Sequence, residues 1–380
     1  MEYRIPHYFN QFRCTAAECE DSCCEGWAIL IDEDSLTKYR NTIGHLGRRM
    51  KESIDWKEGC FRQCNGRCAF LNEDNLCDIQ ILGGEKILCD TCRDYPRHKE
   101  EYEGLREGSL SLSCIEAAKL ILGSMDPVQF LDFADEEEDE EFEDYNYLLF
   151  TKLMDAREKM LACLQNRGLN IYQRMQKVLT LARHLQEAFD ENAIFQMDER
   201  IAQFDIYEET TERDEESDYA STIRKVFRTL HKLEVLKKDW PHAVKKAELL
   251  LYGEGLYTYD ENRRKFHKMI GDEMWERWLE HLMVYFVYVY FCGAVYDGNL
   301  LGKMQTAVVS ILLIQELAIA RWLEQNERFE FEDMVDIAHR VSRELEHSDL
   351  NLTRLEKLCE RTPVLHAKQL EQILAYEAMQ

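Results

Sequence analysis

Eleven of the chain's 14 cysteines fall between Cys14 and Cys114, in three groups. The first is Cys14-x4-Cys19-x3-Cys23-Cys24, the second Cys60-x3-Cys64-x3-Cys68-x8-Cys77, and the third Cys89-x2-Cys92 with Cys114 apart. Three chemistries gather thiols this densely: disulfides, a closed zinc site and an iron–sulfur cluster. Zinc favours two compact C-x2-C pairs, and Cys89 with Cys92 is one such pair. The wider, irregular spacings suit a cluster held by several loops at least as well. Successive side chains diverge, so Cys23 and Cys24 cannot easily share one small ion; they serve different irons, different sites, or one site and the core. His98 can stand in for a cysteine ligand or be a surface histidine.

Disulfides rank behind metal. A chain of 380 residues buries a core without staples. Its start, Met1-Glu2-Tyr3-Arg4-Ile5-Pro6-His7, lacks the basic and apolar regions of a secretory leader, so the expected compartment is the reducing cytoplasm. The C-x3-C-x2-C pattern of radical enzymes using S-adenosylmethionine is absent, and Gly253-Glu254-Gly255 lacks the third glycine of a nucleotide fingerprint. Redox exchange at Cys89 and Cys92 calls for a strand–helix junction of a small α/β domain, and the sequence offers none.

A second candidate is the aromatic stretch from His281 to Gly298. On a helix, His281, Tyr285, Tyr288 and Cys292 share one face. A slot lined by Tyr285, Tyr288 and Tyr296 can hold a sulfonium or ammonium by cation–π attraction, with Asp297 orienting an amine. In that reading Tyr288 and Asp297 are catalytic, and Tyr285 and Tyr296 bind the cofactor. The competing reading is a central helix with aromatic packing.

The elements that must position these residues give a mainly α fold. An irregular, cysteine-rich, metal-binding domain covers 1–122, an acidic linker 123–146, and an α-helical array 147–380. In the first part turn pairs such as Asn65-Gly66 alternate with short apolar pieces, and Ser113 with Glu116 has capping-box spacing at a helix start. Asp135 to Asp144 is acidic at nine of ten positions, and Glu208 to Asp218 is a second acidic patch; such charge density predicts solvated loops. Leu, Ala, Glu, Lys, Arg and Gln at helical spacing predict helices over about 147–166, 170–190, 219–238, 241–252, 260–270, 273–295, 304–325, 329–345 and 351–378.

Two exclusions follow. A formal charge of −26 argues against a nucleic-acid partner; it suits a basic partner, a lysine-bearing substrate, or solubility alone. The longest apolar run, Leu282 to Val295, falls short of the roughly 20 residues of a membrane span, and Ala307 to Ala320 is interrupted by Gln315 and Glu316. No membrane association is expected.

Five separated motifs carry a resemblance. Arg13-Cys14 with Cys19, Cys23-Cys24-Glu25-Gly26-Trp27, Cys68-Ala69-Phe70-Leu71-Asn72-Glu73-Asp74-Asn75-Leu76-Cys77, Thr91-Cys92-Arg93-Asp94-Tyr95-Pro96-Arg97 and Ser109-Leu110-Ser111-Leu112-Ser113-Cys114 occur in that order. The order resembles the flagellin lysine-N-methylase family, whose N-terminal part is similar to zinc- or iron-chelating cysteine domains. The likeness is specific over about 1–120 and diffuse beyond. It implies an enzyme that methylates the ε-amine of flagellin lysines with S-adenosylmethionine, and that binds a 4Fe-4S cluster, or alternatively zinc, through Cys14, Cys19, Cys23, Cys24, Cys68, Cys77, Cys92 and Cys114. Cys60, Cys64 and Cys89 look like additions in this chain. Two rivals are a zinc-stabilised interaction module without activity, and a redox protein using the cluster for electron transfer.

Overall fold

The computed structural model describes residues 1–134, 145–204 and 219–379. Both acidic runs, Asp135 to Asp144 and Glu208 to Asp218, lie outside the described residues. The fold is mainly α, as the helical spacing predicts.

The N-terminal part carries more strand than its sequence suggests. Strands β1 (Glu2–Pro6), β2 (Arg97–Tyr102), β3 (Leu105–Leu110) and β4 (Phe130–Ala134) form one sheet in the order β2-β3-β1-β4. β2 and β3 are a hairpin, β1 runs parallel to β3, and β4 closes the far edge antiparallel to β1. The stretch read as a linker therefore begins with a paired strand. These strands are short, and exposed β4 carries no alternating pattern to betray it. Gly108 sits where β3 meets β1; a Cβ there would lie 2.8 Å from Ile5 Cγ2 and 3.1 Å from the Phe9 ring, so a side chain has no room.

Helix α1 (Ile115–Gly123) joins the sheet to the array. Helices α2 (Tyr147–Leu164), α3 (Ile171–Asp190), α4 (Asp272–Tyr290), α5 (Leu300–Glu324), α6 (Phe331–Glu346), α7 (Asp349–Arg361) and α8 (Ala367–Glu377) make up most of the rest, and α5 packs against α3, α4, α6, α7 and α8. Asn299 starts α5 by accepting a hydrogen bond from the Gly302 amide. From Met304 to Ala320 α5 is buried all round, which marks a core helix. Helices over Asp272–Asp297 and Leu300–Glu324 are each long and apolar enough to cross a membrane, a length that counting unbroken apolar runs missed; here 83% of each apolar window is buried within the protein.

Three helix expectations change. The segment 351–378 is two helices, because Pro363 lacks an N–H and breaks the ladder between α7 and α8. The helix begun at Tyr219 ends at Phe227 and continues as a 3-10 turn, Arg228–Lys232. An unforeseen short helix spans Gln196–Gln203.

Two apolar cores result. The larger joins Ile5, Tyr8, Phe9, Leu110 and Leu112 to α1 and the helical array. The smaller lies wholly within the cysteine-rich part, around Ile29, Ile31, Tyr39, Met50, Phe61 and Phe70. The division in packing thus runs inside residues 1–122. Buried acids in the larger core are answered individually: Glu107 by Arg157, Glu280 by Arg167 and Arg174, Glu377 by Arg263.

Glu316, fully buried on α5, is met by the hydroxyls of Tyr252 and Tyr259. Burial pushes its carboxyl up from 4.5 to about 7, against the pull of those hydrogen bonds. The folded chain thus holds this proton more tightly than the unfolded chain. Stability from this group is complete below about pH 4.5 and is lost as pH rises to about 7, a fall of about 3 kcal/mol. Urea unfolding of Glu316→Gln should therefore lose about 3 kcal/mol less than the parent between about pH 4 and pH 8.

Candidate functional site

All 14 cysteines are unbridged thiols. Cys14, Cys19, Cys23 and Cys114 lie within range of one another's charge. So do Cys24, Cys68, Cys77, Cys89 and Cys92. Packing draws the same line: Cys19 and Cys114 rest on the larger core, and Cys24, Cys68, Cys77, Cys89 and Cys92 belong to the smaller. The neighbours Cys23 and Cys24 join the two groups. Their hydrogen bond draws the Cys24 thiol down to about 7 and, with burial, pushes Cys23 up. Burial pushes Cys68 to about 12 and Cys114 to about 11. Cys89, set aside by the family pattern, stands beside Cys92, whereas Cys64 is exposed and Cys60 faces Asp55 and Glu58. His98 lies on exposed β2 and bonds Glu100.

Soft thiols of this number suit an iron–sulfur cluster or zinc. In arrangement they are ungathered: among the described residues no three His, Cys, Asp or Glu side chains are placed to hold one ion.

The loop from Cys19 to Gly26 is held from α6. Arg343, 2% exposed, donates to the carbonyls of Asp21 (3.2 Å), Ser22 (2.6 Å) and Glu25 (2.6 Å) and pairs with the Asp21 carboxylate at 2.7 Å. One turn earlier on α6, His339 bonds Asp21 through Nε2 and the Ser113 carbonyl through Nδ1. Lys237 pairs with the other Asp21 oxygen at 2.6 Å. Burial alone would raise the Asp21 carboxyl; the His339 bond and the charges of Arg343 and Lys237 instead hold it well below the usual carboxylate range.

Ser113 does not cap α1, whose N-cap is Cys114 with no side-chain bond. The Ser113 hydroxyl meets Tyr95 (3.1 Å), Ser111 (2.6 Å) and His347 Nε2 (2.8 Å). His347 packs tilted against Trp27, ring centroids 4.4 Å apart. Its burial, with the charge of Arg343, pushes the imidazole down to about 3.

The aromatic face of α4 forms no slot. Tyr288, 3% exposed, donates to the carbonyls of Arg4 and Gly108. Tyr285 is bonded to Glu346 and the Leu112 amide, His281 to the Ile121 carbonyl, and Cys292 is buried near Met154. Tyr296 is exposed and donates to the Glu101 carbonyl. Helical spacing put the tyrosines on one face correctly, but that face meets the sheet and α6.

A cavity of about 440 Å³ lies around the corner, between α4, α5 and α7, with Asp297 at its edge. Phe286 and Tyr290 supply aromatic wall, and Glu356, Glu360 and Lys357 come from α7. Lys303 of α5 bridges Asp297 (2.6 Å) and Glu356 (2.8 Å); burial would lower its ammonium, but the bonds to those carboxylates raise it. The cavity thus presents both charge signs beside aromatic rings. Sequence reading missed Tyr290, Lys303 and Glu356, which come from three helices, so no local spacing links them.

A profile of the FliB lysine N-methylase C-terminal domain matches residues 157–370, which include every residue lining the cavity and the clamp residues Lys237, His339 and Arg343. The chain belongs to this family. The FliB relatives include a lysine-N-methylase of Salmonella typhimurium, 34% identical over 130 residues, or 32% of each chain. The flagellar biosynthetic protein FliU of Salmonella muenchen is 32% identical over 130 residues, 32% of this chain and 77% of that protein. The match thus spans about a third of the length of the Salmonella typhimurium relative. No solved structure matches.

Within this FliB-family chain the clamp makes a direct prediction. Arg343→Met should speed amide exchange across residues 21–26 at least about tenfold, as the loss of one charged hydrogen bond of about 1.5–3 kcal/mol requires. Arg340→Met, which loses a pair with Asp239 and a contact over the Trp240 ring but none with the loop, should leave those amides unchanged.

Proposed function

We propose that the protein is a lysine N-methyltransferase that uses S-adenosylmethionine to methylate flagellin in the cytoplasm, and that donor and lysine meet in the cavity beside Asp297. The observation that carries the reading is that the family match covers the whole cavity lining. The names lysine-N-methylase and flagellar biosynthetic protein among the relatives support the reaction and the flagellar substrate.

The cavity's chemistry supports the donor. Its volume of about 440 Å³ falls within the roughly 300–1,000 Å³ usual for small-molecule sites. The donor carries an ammonium, a carboxylate and a sulfonium. Asp297 and Glu356 can release Lys303 to take the ammonium, which frees Lys303 for the carboxylate. Phe286 and Tyr290 can face the sulfonium. Methyl transfer is then an in-line displacement at carbon by the amine lone pair, and it needs the partners held close and water kept out. The acidic edge draws the lysine in.

An iron–sulfur cluster would have to draw together thiols that as placed do not meet three to an ion, from Cys14, Cys19, Cys23 and Cys114 on one side and Cys24, Cys68, Cys77, Cys89 and Cys92 on the other. Such a cluster would supply redox-active, Lewis-acidic iron.

Incubation with S-adenosylmethionine and unmodified flagellin should yield single-methyl mass increments on lysine; none from the parent protein would sink the proposal. Lys303→Met and Asp297→Asn should each weaken donor binding by tenfold or more, corresponding to about 1.5–3 kcal/mol per charged hydrogen bond. Tyr288→Phe, whose hydroxyl serves two carbonyls, should not. In anaerobically purified protein, Cys92→Ser or Cys114→Ser should bleach the visible chromophore, and Cys163→Ser or Cys359→Ser should leave it; a colourless, zinc-loaded parent overturns the cluster.

A further inference from the structure

An amine attacks a methyl group only through its lone pair, so a lysine arriving as an ammonium must first lose a proton. The acids at the cavity edge are poorly suited to take it. Asp297 and Glu356 are both engaged by the Lys303 ammonium, and Glu360, the other acid of the lining, is exposed to solvent. A buried carboxyl stands directly behind the cavity wall.

Glu346 closes α6, next to Leu345, which lines the cavity. Its oxygens accept from the hydroxyls of Ser111 at 2.8 Å and Tyr285 at 2.9 Å. The Tyr290 hydroxyl lies within hydrogen-bonding reach of both Glu346 and Tyr285. Tyr290 is also part of the cavity wall, so it touches both compartments. Burial raises the Glu346 carboxyl above its ordinary range against the pull of these hydroxyls, in the direction a proton acceptor needs.

We infer that Glu346, acting through the Tyr290 hydroxyl, accepts the proton the substrate lysine must shed before methylation. The inference rests on the methyltransferase reading above. In the step, a proton leaves the ammonium for the Tyr290 oxygen while the Tyr290 proton passes to a Glu346 oxygen; the ammonium becomes an amine and the carboxylate a carboxylic acid. The freed lone pair forms the N–C bond, and the C–S bonding pair stays with sulfur, which leaves as a neutral thioether. Ser111 and Ser113, 2.6 Å apart, continue the line of hydroxyls from Glu346 to His347.

The groups that face this carboxyl are Tyr285 and Tyr290 from α4, Ser111 from the turn after β3, and Ser342 from its own helix; the charged or titratable neighbours in sequence are Arg343 and His347. Arg343 is turned to the Cys19–Gly26 loop, His347 is neutral through burial, and Glu100 of β2 acts on Tyr290.

The test measures kcat, donor KM and the pH dependence of kcat on the full chain with flagellin, beside equilibrium binding of S-adenosylmethionine. Glu346→Gln keeps hydrogen-bonding capacity and removes the base; kcat should fall about hundredfold or more, the acidic limb of the pH profile should vanish, and donor binding should stay within about twofold. Tyr290→Phe, which introduces no new polar group, should lose kcat to a similar extent, and Glu346→Asp should recover part of the rate and the limb. Parent-like kcat and pH limb in Glu346→Gln or Tyr290→Phe, with an active parent, overturn the inference and leave the methyltransferase reading intact. A loss confined to donor binding also overturns it and makes Glu346 a structural residue. A parent that never methylates lysine is a failure of the function itself.

Discussion

The contact between Arg343 and the loop around Asp21 ties the cysteine-bearing loop to the helix that backs the cavity. A buried guanidinium needs acceptors for its fork of donors, and here three carbonyls and a carboxylate from one short loop supply them. Because the loop carries Cys19, Cys23 and Cys24, its position fixes where the thiols stand relative to α6. Because α6 ends in Leu345 and Glu346, the same helix fixes the back of the cavity. The Cys19–Gly26 loop and the array are thus registered through a few polar side chains, Arg343 with His339 and Lys237.

That economy suits the division of the packing. The small core around Phe61 and Phe70 is separate from the large one, so apolar burial alone would leave the cysteine-rich part loosely docked. Polar contacts made in a dry setting are directional and costly to break. His339 reinforces the docking by spanning Asp21 and the Ser113 carbonyl, so the loop, the start of α1 and α6 meet at one imidazole.

Much of the helical array was legible in the sequence because helical periodicity is local: α2, α3, α5 and α6 fall close to their expected bounds. Pro363 was visible but underweighted, and the strands escaped because β1 pairs with residues more than a hundred positions away. Among candidate site residues, Asp297 does border the cavity, while Tyr285, Tyr288 and Tyr296 are spent on partners in the sheet, the loop after it and α6. A helical wheel reports which residues share a face and not what that face meets. Cys89 was set aside by motif alignment, yet buried packing puts it with Cys92; Tyr290, Lys303 and Glu356 converge only in three dimensions.

The clamp joins residues far apart in the order in which they are made. Arg343 lies 322 positions after Asp21, so the ribosome releases Cys14 to Cys24 long before the helix that secures them exists. β1, the first strand made, likewise waits for β3 and β4. At about 5–20 residues per second, the loop thiols spend many seconds unsecured on the nascent chain. Over that interval the thiols lack the burial and the clamp that shield them in the finished fold, and are open to oxidation or stray metal.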